Sequence, residues 1–150
     1  MRIVVQRAAQ ASVTVSGETV ASIGKGLFIL VGVETGDTLE DAKWLSAKAA
    51  ALRIFDDADG VMNINVSEAG GELLAVSQFT LTASTKKGNR PSYYRAAGHE
   101  TAVPLYEEFC RLLSEAAGKP VQKGIFGAEM MCSLVNDGPV TIIIDSRLKE

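Results

Sequence analysis

Hydroxyl and amide side chains gather at the end of one apolar run in this sequence. The run spans Leu73–Leu81, and its first residues are apolar and partly β-branched, which predicts a buried strand. Ser77, Gln78 and Thr80 then place two hydroxyls and an amide where the strand leaves the core. Small polar groups at the end of a buried strand can build a binding or catalytic site on a rigid element. This run is therefore the candidate site around which the other elements are arranged.

The two faces of this run carry different side chains if the chain stays extended through Thr80. Alternation then places Ser77 and Phe79 on one face, and Gln78 and Thr80 on the other. An alternative is that the hydroxyls are structural and only satisfy neighbouring backbone groups at the end of a strand.

A basic and aromatic stretch follows the candidate site. No Asp or Glu occurs from Leu73 to His99, although the whole chain carries a net charge of −3. Cationic side chains neutralise phosphates, and aromatic rings stack on unpaired bases, so the stretch predicts an RNA-binding surface. The alternative is an ordinary solvated loop. The residues expected to contact RNA are Lys86, Lys87, Arg90, Tyr93, Tyr94 and Arg95.

Two motifs far apart in the chain carry a resemblance to a known family. The run Ser77-Gln78-Phe79-Thr80-Leu81 is similar to the first signature of the D-aminoacyl-tRNA deacylases, and Asn136–Thr141 (Asn-Asp-Gly-Pro-Val-Thr) is similar to their second. The second signature contains the family's Gly-cis-Pro element. Val5–Ala8 and Gly124–Ala128 extend the resemblance over essentially the whole chain.

The resemblance implies a reaction, a partner and a fold. The implied reaction hydrolyses the ester of D-aminoacyl-tRNA, releasing the free D-amino acid and tRNA, as chirality proofreading in translation. Glycyl-tRNA mischarged on tRNA-Ala is a further candidate substrate. The implied architecture is a layered mixed α/β sheet with two helices packed on it, as in this family, and the implied assembly is a homodimer.

The second motif is implied to read the chirality of the substrate. By resemblance, Gly138-Pro139 is cis, reaches the partner's site across the dimer interface, and turns its carbonyls towards the α-carbon of the substrate. A rigid backbone there excludes an L side chain. Arg7 is implied to orient this element; the alternative is an edge-strand charge facing water. Three further residues are expected at the site: Ala102 and Phe126 as pocket walls, and Asn136 shaping the turn.

Ester hydrolysis requires a stabilised oxyanion and a positioned water or nucleophile. Loss of one oxyanion donor typically costs about 10²–10³ in rate, so well-placed backbone N–H groups can carry much of the catalysis. The N–H groups of Phe79 and Thr80 are the candidate donors. The Thr80 hydroxyl is a weak nucleophile without an adjacent base. The residues Ser77, Gln78, Phe79 and Thr80 are therefore interpreted as a catalytic scaffold, with water, Thr80 or the RNA 2′-hydroxyl as the attacking or activating group.

Two other functions fit part of the sequence. In a non-catalytic RNA-binding protein, the basic stretch binds RNA and the hydroxyls are structural. In a small-molecule serine esterase, Ser77 acts with His99, the only histidine and so the only possible imidazole of a triad. A surface or capping role for His99 is the simpler interpretation.

Composition narrows the class of protein further. At 150 residues, with 47% apolar and 22% charged residues, the chain is most simply one soluble domain spanning 1–150. A single histidine, the lack of a cysteine cluster and the lack of a nucleotide-binding glycine pattern argue against a metal or cofactor. Cys110 and Cys132 are expected to be buried small hydrophobes, in a helix and a strand. From composition we expect a cytoplasmic protein that does not span a membrane. The resemblance implies that its partners are aminoacyl-tRNA and its own second copy, and not DNA.

Periodicity and breakers place the secondary structure. Helices are predicted from an Asp37 or Thr38 cap to about Leu52 and from a Thr101 cap to about Ala117, because apolar residues recur there at helical spacing. The other strands are predicted over Arg2–Ala8, Ser12–Val15, Thr19–Ile23, Leu27–Val33, Arg53–Phe55, Val121–Ile125, Met131–Val135 and Val140–Ile144.

Overall fold

A six-stranded mixed sheet forms the centre of the computed structural model, which describes all residues from Met1 to Glu150. The strands are β1 (Arg2–Val15), β2 (Glu18–Ile23), β3 (Gly26–Gly32), β4 (Phe55–Asp56), β5 (Met62–Ile64), β6 (Glu72–Ser77), β7 (Val121–Lys123) and β8 (Met131–Asp145). The main sheet runs β2-β1-β3-β6-β7, with β8 paired to β1, and β4 pairs with β5 separately. β1 is antiparallel to β2, β3 and β8, whereas β3, β6 and β7 are parallel.

Both faces of the central strands are covered, which explains their continuous apolar sequences. In β3, Leu27 and Ile29 belong to a large core shared with the two helices, whereas Phe28 faces a smaller core formed with residues of β1 and β2. In β6, Leu73 and Leu74 divide between the same two cores. The predicted class, a mixed sheet with helices packed on it, is confirmed.

The two helices, α1 (Leu39–Ala51) and α2 (His99–Ala117), lie on the face that carries the larger core. Of the two predicted candidates, Asp37 and Thr38, it is Thr38 that forms the N-cap of α1, and Asp41 completes a capping box with it. The prediction for the start of α2 was wrong, because Gly98 rather than Thr101 is its N-cap. The Gly98 carbonyl accepts the first helical bonds, from Thr101 and Ala102, so the helix begins before the threonine. Neither helix is long and apolar enough to cross a membrane.

Two long strands replace four of the predicted short ones. Ala9 and Gln10 interrupt the apolar alternation of β1, but the strand continues because irregularities in its pairing with β8 absorb the break. β8 likewise runs through Asn136–Pro139. In contrast, β4 is displaced from the predicted Arg53–Phe55, and β7 ends earlier than predicted, at Lys123.

The candidate run leaves extended structure earlier than alternation predicts. β6 ends at Ser77, and a short 3₁₀ helix, the Phe79–Thr82 turn, follows at once. The prediction that Gln78 and Thr80 share one face of an extended segment was therefore wrong. Gly32 of β3 lies directly beneath this turn: a Cβ there would come within 2.9 Å of Leu81 Cβ and 3.1 Å of the Gln78 carbonyl oxygen. The Phe79–Thr82 turn, where the chain leaves the extended conformation, is thus packed against the sheet.

Candidate active site

A cavity of about 490 Å³ opens where the parallel strands β3 and β6 end. Ligand sites in sheets of this kind lie at the carboxyl ends of the strands. Most of the lining is apolar, with a few polar groups along one wall. The lining residues are Val31, Val33, Val76, Ser77, Gln78, Phe79, Ala96, Ala97, His99, Ala102, Phe126, Gly127, Ala128, Met130 and Cys132.

The polar wall comes from the segment that the sequence singles out. Ser77, Gln78 and Phe79 all line the cavity, because the chain turns after β6 instead of remaining extended. The Gln78 N–H donates to the Val31 carbonyl oxygen at 2.8 Å and fixes the segment to β3. The Phe79 and Thr80 N–H groups donate to no acceptor within the chain, as is usual at the start of a helical turn. A free donor, the Phe79 N–H, therefore lies at the wall of the cavity, and the unpaired Thr80 N–H follows it in the turn.

Thr80 differs from its neighbours because it does not line the cavity. The Gln78 side-chain amide donates to the Thr80 hydroxyl at 2.5 Å, and this hydroxyl has no carboxylate or imidazole partner. A threonine without a base is a poor nucleophile. The geometry therefore supports the scaffold interpretation over a Thr80 nucleophile.

His99 lies in the cavity wall, in the first turn of α2, so its placement before the helix cap was wrong. Its ring packs edge-on against Phe126, with ring centroids 5.5 Å apart. Phe126 in turn packs on the buried Tyr106. No hydrogen bond joins His99 to Ser77 or to a carboxylate, whereas a triad requires both contacts. His99 is therefore an aromatic part of the cavity wall and not a member of a catalytic triad.

Sequence reasoning missed several lining residues, notably Met130 and Cys132. Cys132 was predicted to be buried, but it is exposed at the cavity, whereas Cys110 is buried in α2. Burial raises the pKa of the Cys110 thiol to about 12. The sequence signal that could have found Met130 and Cys132 is their position directly after Gly124–Ala128, the segment that supplies Phe126.

The Gly138-Pro139 element protrudes from the sheet opposite Arg7. Gln6 pairs with Thr141 and Ala8 pairs with Asn136, so residues 137–140 of β8 lie opposite the single residue 7 of β1. The peptide bond between Gly138 and Pro139 is cis, as the resemblance implies. The element is exposed and does not line the cavity of its own chain.

Arg7 and Asn136 hold this protrusion at its two ends. Arg7 is buried in a central strand, so the alternative of an edge-strand charge facing water is wrong. Its Nε donates to the Asp137 carbonyl oxygen at 3.1 Å, and its Nη1 donates to the Ile54 carbonyl oxygen at 2.7 Å. The Asn136 side chain accepts from the Val140 N–H at 3.1 Å and donates to the Thr141 hydroxyl at 3.0 Å.

The basic stretch forms an exposed loop beside the turn. Ser84 and Ser92 exchange two backbone hydrogen bonds and close the loop, with Lys86, Lys87 and Arg90 exposed between them. These three cations make no ion pair within the chain. Tyr93 packs edge-on against Phe79 at 5.0 Å between ring centroids, and Tyr94 is 75% exposed.

Arg95 has a different environment from the rest of the basic stretch. Its guanidinium donates to the Thr82 carbonyl oxygen at 3.2 and 3.3 Å and to the Ala83 carbonyl oxygen at 3.5 Å. Its Nε also lies 3.8 Å from the buried Glu34 carboxylate. Arg95 thus contacts the end of the Phe79–Thr82 turn.

Comparison with known proteins identifies the family of this chain. The family model described as D-Tyr-tRNA(Tyr) deacylase matches residues 4–145. The chain belongs to the D-aminoacyl-tRNA deacylase family. Proteins of that name from Parabacteroides distasonis and Bacteroides thetaiotaomicron are 59% and 60% identical to it, over 100% of both chains in each case.

Two solved structures share the fold of this chain. A protein named c-Myc DNA Unwinding Element Binding Protein superposes with a TM-score of 0.90 at 38% identity, covering 97% of this chain and 98% of its own. A probable eukaryotic D-amino acid tRNA deacylase superposes with a TM-score of 0.81, covering 95% of this chain and 97% of its own. At 17% identity, the second comparison shows the shared fold alone.

Proposed function

We propose that this chain hydrolyses the ester bond of D-aminoacyl-tRNA and releases the free D-amino acid and tRNA, with residues 1–150 acting as one deacylase domain in the cytoplasm. The observation that carries the proposal is the wall formed by Ser77, Gln78 and Phe79, beside which two backbone N–H groups have no partner. Membership of the deacylase family supports the substrate class.

The proposed chemistry uses backbone groups rather than an ionisable catalyst. As the attacking oxygen adds to the ester carbonyl, negative charge develops on the carbonyl oxygen. The free N–H groups of Phe79 and Thr80 stabilise that charge, and collapse of the intermediate expels the ribose oxygen of the tRNA. Ser77 and Gln78 orient the substrate. The attacking oxygen is that of a water, which the RNA 2′-hydroxyl helps to position.

We propose that the site is completed by a second copy of the chain. Gly138-Pro139 is exposed and absent from its own cavity, so it can act on a substrate only in a neighbouring copy. β8 pairs with β1 along one edge, and its other edge has no partner strand within the chain. Exposed apolar side chains along β8, including Met131, Val135 and Ile143, offer a surface for association. These features support a homodimer in which each Gly138-Pro139 enters the partner's site.

Chirality is then read by exclusion. Backbone held by Arg7 and Asn136 meets the α-carbon of the substrate and leaves room for hydrogen but not for an L side chain. Ala102 and Phe126 form an apolar part of the cavity wall. Because glycine has no side chain, glycyl-tRNA mischarged on tRNA-Ala is a second proposed substrate.

The basic loop and its tyrosines are the proposed tRNA-binding surface. Lys86, Lys87 and Arg90 present charge that nothing in the chain neutralises, and the exposed ring of Tyr94 can stack on an unpaired base. Tyr93, packed on Phe79, links this surface to the cavity.

The deciding experiment incubates the protein with D-, L- and glycyl-aminoacyl-tRNA and follows release of the amino acid. We expect hydrolysis of the D and glycyl forms and survival of the L form, with a dimer by sedimentation. Binding without hydrolysis indicates the non-catalytic RNA-binding protein. Hydrolysis of small esters that is lost in Ser77→Ala and His99→Ala indicates the serine esterase. Either result overturns the proposal.

A further inference from the structure

Two arginines from different parts of the chain bind the same end of the Phe79–Thr82 turn. Arg2, at the start of β1, donates from Nη1 to the Leu81 carbonyl oxygen at 2.7 Å. Arg95, just before α2, donates to the carbonyl oxygens of Thr82 and Ala83. Together they occupy three consecutive carbonyl groups, Leu81 to Ala83, at the end opposite to the free N–H groups.

A carboxylate lies beside each arginine: Asp145 is hydrogen-bonded to Arg2, whereas Glu34 lies near Arg95 without a hydrogen bond to it. Nε and Nη2 of Arg2 both donate to Oδ2 of Asp145, at 2.9 and 2.7 Å, and Asp145 is in register with Arg2 across β1 and β8. Arg95 lies against Glu34, which follows β3 and is held by Arg147 at 3.0 Å. The guanidinium groups therefore connect the turn to the ends of two strands.

This geometry matters because a short 3₁₀ helix holds its own shape weakly. Carbonyl groups at the end of a helical segment carry partial negative charge, and cationic donors there stabilise the segment. Fixing those carbonyls also fixes the direction of the N–H groups at the other end, since the turn spans only residues 79–82. Displacement of a catalytic group by about 1 Å can cost about 100-fold in rate.

We propose that Arg2 and Arg95 are positioning residues that hold the Phe79 and Thr80 N–H groups in the direction the reaction needs. This inference rests on the proposed function. It changes the role expected of Arg95, which the sequence pattern assigns to tRNA binding. Arg95 acts through the turn, whereas Lys86, Lys87 and Arg90 act on phosphates.

The two roles of Arg95 predict different kinetics. A positioning residue affects kcat with little change in KM, whereas a phosphate contact affects binding and its dependence on salt. We expect Arg2→Ala and Arg95→Ala to lower kcat at least about 10-fold, with KM within about 2-fold and the salt slope unchanged. Arg95→Lys keeps one donor and is expected to fall between wild type and Arg95→Ala. Arg111→Ala is the matched control, because Arg111 pairs only with Glu108 and Glu115 of its own helix.

A second measurement reports the conformation of the Phe79–Thr82 turn independently of activity. Amide NMR signals of Phe79 and Thr80 are expected to shift or broaden in Arg2→Ala and Arg95→Ala, and to stay in place in Arg111→Ala. If Arg2→Ala does not fold, Arg95→Ala alone tests the inference. The Arg95 side chain is 37% exposed, so its removal disturbs folding less.

The outcomes separate this inference from the proposed function. An Arg95→Ala variant with normal kcat, raised KM and a shallower salt slope makes Arg95 a phosphate contact and overturns the inference, while the deacylase stands. A wild-type protein inactive on D-aminoacyl-tRNA overturns the proposed function, and the amide signals then decide whether the arginines hold the turn. Unchanged amide signals in both variants overturn the inference in every case.

Discussion

Arg7 donates from Nε to the carbonyl oxygen of Asp137, the residue directly before Gly138, at 3.1 Å. The same guanidinium binds the Ile54 carbonyl oxygen through Nη1 and lies within ion-pair distance of the Asp56 and Asp137 carboxylates, at 3.6 and 3.4 Å. The side chain is 10% exposed, so these contacts form where water competes little. The protruding part of β8 is therefore fixed to β1 through one buried side chain.

The first prediction tests this connection. Arg7→Lys keeps the charge but loses the planar fork that binds two carbonyl groups at once. We expect kcat/KM on D-aminoacyl-tRNA to fall about 10-fold or more and the discrimination against the L form to weaken. Steady-state kinetics on both substrates measure this. An unchanged ratio in a folded variant would show that Arg7 does not set the position of Gly138.

The second prediction concerns His99, the only histidine. It packs on Phe126 and has neither of the hydrogen bonds that a catalytic triad requires. Replacing it with alanine removes packing but no general base, so we expect turnover to change less than about 10-fold. Turnover of His99→Ala on D-aminoacyl-tRNA measures this. A loss of several orders of magnitude, with folding intact, contradicts the scaffold mechanism.

The third prediction concerns the exposed cations of the basic loop. Replacing Lys86, Lys87 and Arg90 together by alanine should weaken binding of D- and L-aminoacyl-tRNA equally and reduce the salt slope by about one unit per lost phosphate contact. kcat at saturating substrate should survive. Binding titrations at several salt concentrations measure the slope. The matched control replaces Lys43, Lys48 and Arg111 by alanine, which changes the net charge equally. A similar loss of tRNA binding and of salt slope in the control would show that only the net charge of the protein matters, and not the position of the cations.

The fourth prediction is a pH dependence of stability at Asp145. Burial alone raises the pKa of this carboxyl, but hydrogen bonds from the Arg147 backbone and the Arg2 guanidinium, with the Arg2 charge, lower the pKa below its ordinary value. A lowered pKa means that the charged form stabilises the fold. The stabilisation is present above the unfolded-state pKa, near 3.9, and is lost as the pH falls through the lower folded-state pKa.

Asp145→Asn should therefore lower Tm at neutral pH and approach the wild-type Tm in strong acid. Thermal unfolding from about pH 7 down to pH 2 follows the two curves. The effect should be smaller in an Arg2→Ala background, because Arg2 supplies part of the shift. A Tm difference that stays constant through the acid range contradicts the prediction.

Local patterns in the sequence predicted both helices and most of the strands, but they missed β5 and did not show the tertiary contacts of these elements. Apolar periodicity was sufficient for both helices and for the strand that leads to Ser77, because burial imposes that periodicity. It did not reveal that the chain turns after Ser77, since the turn is stabilised by distant groups such as Arg2 and Gly32. The role of Arg95 was hidden for the same reason. Its neighbours in sequence are basic and aromatic, whereas its contacts are carbonyl groups more than ten residues away.

In the second motif, Asn136–Thr141, the sequence likewise predicts the local conformation but not the tertiary contacts. A glycine before a proline indicates a turn, and only the pairing of β1 with β8 shows that residues 137–140 protrude opposite residue 7. Local patterns cannot predict the proposed dimer, because it depends on which surfaces of the folded chain remain exposed.

The last prediction concerns Gly138, which has a φ of +128°. L residues rarely adopt this conformation. An added Cβ would also lie 2.8 Å from Val140 Cγ2 and 3.1 Å from Arg7 Nη2. The positive φ strains the backbone of Gly138→Ala, and the close contacts require the Val140 or Arg7 side chain or the protruding backbone to shift, which displaces the carbonyls proposed to meet the substrate. We expect this variant to lose hydrolysis of D-aminoacyl-tRNA while it stays folded.

The matched control is Gly17→Ala, in the turn between β1 and β2. Gly17 has a φ of +80°, and an added Cβ there would meet nothing within 4 Å. It carries the conformational cost of a positive φ without touching the proposed site, so its kcat/KM on D-aminoacyl-tRNA should remain at the wild-type value. The comparison measures Tm and the D-to-L ratio of kcat/KM in both variants. If Gly138→Ala keeps the wild-type rate and ratio, the protrusion is only a turn, and the chirality of the substrate must be read by the cavity wall around Ala102 and Phe126.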